Sequence, residues 1–149
     1  MKSKLLIFQL DDDKYALYAD EVERIIRAVE ILPLPGAPQI VCGIINLAGI
    51  IVPVFDIRSR FNLPLREVHI NDRIIIINSK KRRVSILVDS AEELIEFPQE
   101  ELINPDQILP DLNYIDGVVK LKTGLVLVNN INKFLTIDEE EILDKVLIQ

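Results

Sequence analysis

Residues 32–64 read LPLPGAPQIVCGIINLAGIIVPVFDIRSRFNLP. Two apolar runs in this stretch, Ile40–Leu47 and Ile50–Phe55, have the length of strands, and the pair Ala48-Gly49 between them is typical of a tight turn. The prolines before the first run exclude regular structure there. The stretch holds no plausible catalytic constellation. It therefore predicts a hairpin with a defined backbone shape, as expected in a module that binds other proteins.

The bulk composition favours one β-rich domain. A length of 149 residues suits a single domain, so we expect one over residues 1–149. The chain is 49% hydrophobic, with 5% aromatic residues and no Trp, so that Ile, Leu and Val supply the core and favour strands. The net charge of -7 argues against binding to nucleic acid or to an anionic membrane surface.

The cellular location is predicted from the cysteine count and the apolar runs. Cys42 is the single cysteine, which excludes an internal disulfide and favours a reducing cytoplasm. The first apolar run, Leu5–Phe8, is too short for a signal peptide, and no small-residue cleavage site follows it. No stretch approaches the ~18 apolar residues of a membrane span. We therefore expect a cytoplasmic protein that does not insert into membranes.

Strand patterns and turn signals alternate along most of the chain. Turns recur every ~8–12 residues, which gives about nine or ten short strands and favours an all-β sandwich or barrel. Two small barrels in one compact unit fit this number better than one large sheet. The other predicted strands are Lys4–Leu10, Lys14–Tyr18, Arg73–Asn78, Arg83–Asp89, Glu92–Phe97, Asp116–Leu121 and Leu125–Val128. A polar, proline-bounded loop is predicted at Pro98–Pro110.

Three helical segments are predicted beside the strands. Asp20 and Glu23 approximate a capping box, and the apolar residues that follow have helical spacing, so the sequence predicts a short helix over Glu21–Ala28. One helical turn capped by Asp56 is expected over Asp56–Phe61. An acidic helix over Asp138–Ile148 has its acids in the first turn, where the helix dipole favours them.

Few residues suggest chemistry. His69 is the single histidine, and no cluster of metal ligands surrounds it in the sequence, so a loop histidine is the better interpretation. Cys42 lies in an apolar run, as a small buried residue would. Phosphate-binding, dinucleotide-binding and serine-hydrolase motifs are all absent from the sequence. We expect no catalytic residue, no bound metal and no cofactor.

Several charged clusters have a structural interpretation and a functional one. Asp56, Arg58 and Arg60 form an ion-paired turn or contact a partner, and the ion-paired turn is favoured. The run Lys80–Arg83 is a solvated hairpin tip or grips phosphate or an acidic partner, and the tip is favoured. The run Asp11–Asp13 is expected to form a turn rather than a cation site.

Read as a whole, the chain resembles the CheW family, the coupling proteins of bacterial chemotaxis. The specific part is the string Gly-x-x-Asn-Leu-x-Gly…Pro-Val-x-Asp-x-Arg, which begins at Gly43. The resemblance covers about residues 4–136. The other matching segments are Phe8–Leu17, Val22–Ile25, Pro33–Pro38, Arg60-Phe61, Ile74–Ile77, Val88-Asp89, Tyr114, Gly117 and Leu125–Val128.

This resemblance implies a fold and a function. It implies two intertwined five-stranded SH3-like β-barrels that share a core, with a few short peripheral helices. It implies no enzyme activity. Members of the family are adaptors that couple the cytoplasmic tip of a methyl-accepting chemoreceptor to the regulatory domain of a CheA-type histidine kinase.

The resemblance also implies two contact surfaces. A receptor-binding groove lies between the barrels in the family, and a kinase-binding surface lies on barrel hairpins. The positions that match the groove are Val22, Ile74, Ala91 and Leu94, with Gly43 and Gly117 at tight sites near it. The positions that match the kinase surface and its junction with the receptor are Ala48, Gly49, Ile50, Val52, Asp56 and Arg58.

The chain departs from the family pattern at one position. The family has Asn-Leu-Arg-Gly where this chain has Asn46-Leu47-Ala48-Gly49. Alanine cannot replace a bidentate, permanently charged donor at the junction of receptor and kinase. One alternative to ordinary coupling therefore stays open, a divergent CheW-like scaffold for a pathway outside motility that has lost standard receptor coupling. A separate alternative, from a different class of function, is a small barrel domain that binds a ligand in a pocket between the barrels. A nucleic-acid-binding barrel is disfavoured, because it would need a basic face and exposed aromatic residues.

Overall fold

The computed structural model describes residues 2–104 and 114–147. These residues form ten strands and one α-helix. The strands are β1 (Lys2–Leu10), β2 (Asp13–Tyr18), β3 (Val22–Arg27), β4 (Val41–Leu47), β5 (Ile50–Phe55), β6 (Arg73–Asn78), β7 (Arg83–Val88), β8 (Ser90–Pro98), β9 (Ile115–Leu121) and β10 (Gly124–Asn129), and the helix is α1 (Ile137–Val146). Short 3-10 turns lie at Ala19–Glu21, Ile57–Phe61, Gln99–Glu101 and Ile131–Lys133.

The strands form two five-stranded sheets. One sheet, here called the outer sheet, has the order β8-β1-β2-β10-β9, and the other, the inserted sheet, has the order β3-β6-β7-β5-β4. All strands of the inserted sheet follow one another in the chain between β2 and β8. Neighbours are antiparallel except for the parallel pairs β2–β10 and β5–β7. The prediction of a mostly β protein with two intertwined five-stranded units is confirmed.

Three apolar clusters explain why apolar and polar residues do not alternate along these strands. In β1, Leu5 and Ile7 belong to the core of the outer sheet, whereas Leu6, Phe8 and Leu10 point into a larger cluster between the two sheets. The inserted sheet repeats this arrangement. In β6, Ile74 and Ile76 fill its own core, while Ile75 and Ile77 face the shared cluster. Strands that are buried on both faces read as continuous apolar runs.

The predicted helix over Glu21–Ala28 is wrong. A 3-10 turn at Ala19–Glu21 leads into strand β3, which pairs with β6 at the edge of the inserted sheet. The register shifts between Val22 and Arg24, because Val22 lies opposite Ile77 and Arg24 opposite Ile76. Such a bulge interrupts the two-residue alternation of a strand. The apolar spacing of β3 therefore imitates a helix.

The remaining local predictions agree with the structure. The hairpins at Asp11–Asp13, Ala48-Gly49 and Lys80–Arg83 are formed, and Asp56 accepts a hydrogen bond from the amide of Arg58 at 3.2 Å as the cap of the turn Ile57–Phe61. Helix α1 has a capping box of Thr136 and Glu139, and Ile148, the last residue of the predicted helix, lies outside the described residues. Of the predicted loop Pro98–Pro110, residues 105–110 lie outside the described residues. No helix within the described ranges has the length and apolarity that a bilayer crossing requires.

Candidate protein-interaction surfaces

An aliphatic groove separates the edge strands of the two sheets. Strand β3 of the inserted sheet forms one wall and β8 of the outer sheet forms the other, and the groove has a volume of about 320 Å³. Its lining consists of Leu6, Ala19, Val22, Arg24, Ile25, Ala91 and Leu94. Leu6 and Ala91 are buried in this lining, whereas Leu94 is 65% exposed. Such a surface can bind aliphatic side chains of a partner.

The structure brings three of the six predicted groove residues together. Val22, Ala91 and Leu94 line the groove from its two walls. Ile74 lies elsewhere, because its side chain is fully buried in the core of the inserted sheet. The sequence did not single out Arg24 and Ile25 for the groove, since the bulge that brings both to it leaves no sequence signal.

The two predicted glycines occupy tight sites away from the groove lining. A Cβ atom on Gly43 would lie 2.3 Å from the carbonyl oxygen of Leu32, which forms a two-hydrogen-bond bridge with Ile44. A Cβ atom on Gly117 would lie 2.4 Å from the Leu102 side chain. Both glycines therefore allow a loop segment to pack closely on a strand, and neither presents a surface to a partner.

The tip of the β4–β5 hairpin is an exposed apolar surface. Ala48 and Gly49 both have positive φ, at 52° and 89°, and the Asn46 side chain accepts a hydrogen bond from the Gly49 amide at 2.7 Å. Positive φ at both central residues is the signature of a hairpin turn that matches the strand twist. Ile50, which is 53% exposed, and Ile51 follow the turn. Four neighbouring residues, 48–51, are thus accessible.

Three of the residues predicted for the kinase surface have structural roles instead. Val52 is fully buried in the core of the inserted sheet. Asp56 is half-buried and caps the 3-10 turn. Arg58 is only 4% exposed and is surrounded by acceptors. These three side chains offer little surface to a partner, and the accessible part of the predicted set is Ala48, Gly49 and Ile50.

Arg58 is the centre of an ionic network that joins the two sheets. Its guanidinium contacts Asp11, in the β1–β2 turn of the outer sheet, at 2.9 Å. It also donates to both carboxylate oxygens of Asp89, at the end of β7, at 2.8 and 3.0 Å. Arg66 extends the network by donating to both oxygens of Asp72 at 2.7 and 2.9 Å and to Asp89. The ion-paired interpretation of the Asp56–Arg60 string is confirmed for Arg58.

Arg60 anchors the C-terminal part of the chain. Its guanidinium donates to the Phe134 carbonyl at 3.0 and 3.2 Å and to Glu139 in helix α1, and its own carbonyl accepts from the Tyr114 hydroxyl at 2.7 Å. The basic hairpin tip Lys80–Arg83, which was predicted to be solvated, makes a similar contact instead. Lys81 pairs with Glu140 and Asp144 of α1 at 3.3 and 2.9 Å. Both basic groups therefore hold the helix in place.

The acids of the network have shifted pKa values. Burial alone would raise the pKa of Asp72, but hydrogen bonds from Arg66 and from the His69 amide outweigh it and lower the pKa below its ordinary value. The pKa of Asp89 is lowered in the same way, since hydrogen bonds from Arg58 and the Asp11 amide outweigh the effect of burial. Both carboxylates are therefore stabilised in their charged forms.

Acid is expected to weaken the fold through these two groups. A lowered folded-state pKa contributes stability above the ordinary aspartate pKa of about 3.9, and this contribution is lost as pH falls through the folded pKa. The Tm measured by circular dichroism from pH 6 to pH 3 should fall below about pH 4. An Asp72→Asn variant should melt lower at pH 6 and show a shallower fall, and parallel curves for the two proteins would contradict this assignment.

Metal and thiol chemistry find little support in the described residues. No group of three or more potential His, Cys, Asp or Glu metal ligands occurs among them. His69 lies in an exposed loop, as predicted. Cys42 is half-buried with its Sγ donating to the Val54 carbonyl, and burial raises its pKa to about 12. The thiol is therefore protonated at neutral pH and a poor nucleophile.

Comparison with known proteins identifies the family. The model of the CheW-like domain matches residues 4–139. The chain belongs to the CheW family. Among its CheW relatives, the chemotaxis protein CheW of Bacillus subtilis is 33% identical over 144 residues, with 95% of this chain and 87% of the relative covered. That of Treponema pallidum is 29% identical, with 91% and 84% covered.

A solved CheW structure has the same architecture. The scaffolding protein TtCheW from Thermoanaerobacter tengcongensis superposes with a TM-score of 0.84 at 26% identity, and the match covers 93% of this chain and 96% of that one. The chain is thus a non-enzymatic adaptor of the chemotaxis type, built on the CheW fold.

Proposed function

We propose that this CheW-like chain couples a chemoreceptor tip to the regulatory domain of a CheA-type histidine kinase in the cytoplasm, as a single domain over residues 1–149. The aliphatic groove between β3 and β8 carries the proposal. Val22, Ala91 and Leu94 meet there from two different sheets, which is the arrangement that the family resemblance implies for receptor contact. A groove of this kind suits the apolar face of a helix.

The kinase contact is assigned to the β4–β5 hairpin tip. Ala48, Gly49 and Ile50 are exposed there, and Ile51 extends the apolar surface. Exposed aliphatic residues on a rigid turn are suited to packing against a similar domain, and apolar contacts at the centre of an interface supply much of its affinity. The groove lies along β3 at one edge of the inserted sheet, and the hairpin tip belongs to β4 and β5 at its other edge, which favours simultaneous binding of both partners.

A second candidate follows from Ala48. Its methyl group lies at the exposed turn where the family has an arginine, and the turn has positive φ at both Ala48 and Gly49. A chain with the fold but without this cation is also suited to act as a scaffold in a divergent pathway. Calorimetric titration with the kinase regulatory domain from the same cell separates the two. Micromolar binding supports coupling, and the absence of binding by a folded sample supports the divergent scaffold.

Replacing Leu94 by glutamine should weaken receptor binding about 10- to 100-fold, because the partner loses an aliphatic contact worth about 1.5–3 kcal/mol. Leu94 is 65% exposed, so the fold should not change. The matched control is Leu125→Gln, at a leucine 59% exposed on β10, outside the groove lining. Affinity for a receptor-tip fragment is measured by calorimetry. Equal affinity of the Leu94 variant and the control would remove the groove assignment.

Replacing Ala48 by arginine should strengthen the ternary assembly with receptor and kinase while leaving stability within about 0.5 kcal/mol. The backbone at φ 52° already accommodates a Cβ atom, and the longer side chain extends into solvent. Co-sedimentation with receptor and kinase measures the gain. Thr123→Arg, in the exposed β9–β10 turn, controls for added charge, and an equal gain in that variant would count against a specific role of position 48.

A further inference from the structure

Both walls of the groove are bulged edge strands. In β3 the register shifts between Val22 and Arg24. In β8, Glu93 and Ala91 are two positions apart but lie opposite the adjacent residues Ile7 and Phe8 of β1. Bulges interrupt the regular row of backbone donors and acceptors that an added strand would need. The groove is therefore suited to receive side chains from a helix and unsuited to strand addition.

Among the side chains that the structure describes, Arg24 is the charged one in the groove lining. Arg24 is placed at the groove by the bulge, and its side chain is 52% exposed. Among the described residues it pairs with Glu23 at 3.6 Å, but Glu23 also pairs with Arg83 at 3.1 Å. The guanidinium of Arg24 thus retains donors for a further acceptor. A planar guanidinium matches a carboxylate with two parallel hydrogen bonds.

We infer that Arg24 makes this groove selective for an amphipathic helix that carries a carboxylate beside its aliphatic stripe. The inference rests on the proposed receptor contact and specifies the chemistry of the helix that binds. The net charge of -7 opposes an acidic partner at long range, so the selectivity has to come from the contact itself. The aliphatic lining supplies affinity, and Arg24 selects among apolar helices.

The test is a calorimetric titration of five proteins, the unaltered chain and its Arg24→Gln, Arg24→Glu, Arg27→Glu and Leu94→Gln variants, with a receptor-tip fragment from the same cell. Arg24→Gln should weaken binding about two- to fivefold, as for an exposed ion pair. Arg24→Glu should weaken it about tenfold or more, because like charges then face each other. The matched control is Arg27→Glu, an exposed arginine on the same strand outside the groove lining, and it should stay within about twofold of the unaltered chain.

The outcomes separate the inference from the proposed function. If Leu94→Gln weakens binding and both Arg24 variants bind like the unaltered chain, the groove remains the proposed receptor site and the charge selectivity is overturned. An equal loss of affinity in Arg24→Glu and Arg27→Glu would show that net charge causes the effect, and this would also overturn the charge selectivity of Arg24. Failure of the unaltered chain to bind, or of Leu94→Gln to weaken binding, would overturn the proposed function itself. Rescue of Arg24→Glu by reversing one acid of the fragment would identify the partner carboxylate.

Discussion

An Arg58→Met variant is expected to lose about 3 kcal/mol of unfolding free energy, which lowers the Tm by about 6–12 °C. Arg58 is almost fully buried and contacts Asp11 and Asp89, so methionine fills the space but leaves two acids without their shared cation. The loss stays at the lower end of the range for broken buried pairs, because Asp89 keeps Arg66 and Asp11 is exposed to water.

Two further variants show whether charge and geometry are responsible. Arg27→Met removes an exposed arginine and should change stability by less than about 0.5 kcal/mol. Arg58→Lys keeps the charge but cannot reach Asp11, Asp89 and the Pro64 carbonyl together, so it should lie between the other two proteins. Urea unfolding followed by circular dichroism measures all three. A loss below about 1 kcal/mol in Arg58→Met would mean that packing, not the network, joins the sheets here.

A Gly43→Ala variant is expected to be destabilised by about 3 kcal/mol. The new methyl group would meet the Leu32 carbonyl oxygen at 2.3 Å, and this atom belongs to the backbone and cannot rotate away. To relieve this clash, the segment around Leu32, here called the connector, has to leave β4. This breaks the two hydrogen bonds between Leu32 and Ile44 at 2.8 and 2.9 Å. Overpacking costs about 1–3 kcal/mol and each hydrogen bond contributes about 0.5–1.5 kcal/mol.

Gly117→Ala is the matched control for this prediction. Its methyl group would meet the Leu102 side chain, which can change rotamer, so the expected loss is only about 1 kcal/mol. Thermal and urea unfolding of both variants give the comparison. A Gly43 variant as stable as the Gly117 variant would show that the connector moves away from β4 at little cost.

The sequence predicted most of the strands because their ends carry clear turn chemistry. The turns at Asp11–Asp13 and Ala48-Gly49 lie between apolar runs, and Asp11, Ala48 and Gly49 adopt the positive φ that these turns need. Strand β3 was mistaken for a helix because its bulge shifts the apolar residues out of alternation. The bulge depends on pairing with β6, which lies about fifty residues away in the chain, so no local sequence pattern predicts the bulge.

The site was predictable only where the family pattern and exposure agree. Val22, Ala91 and Leu94 meet in the groove, but Ile74 is fully buried like the other isoleucines of β6, and the sequence does not show this burial. The Asp-x-Arg string looked equally suited to a partner or to an ion pair, because its acceptors Asp11 and Asp89 lie in distant segments. The tertiary structure decides such questions through burial, which a single sequence does not encode locally.

The burial of both faces of β6 has a consequence for the alignment of the strand. When Ile74–Ile77 fill a cluster on either side, a slip by one residue would exchange isoleucine for isoleucine, so the interior hardly distinguishes the two alignments. The distinction has to come from the ends. Arg66 holds Asp72, just before β6, together with Asp89, just after β7, which fixes both strands at one end. The ionic network thus selects one alignment of β6 with β7 among alignments that bury nearly the same apolar surface, independently of its contribution to stability.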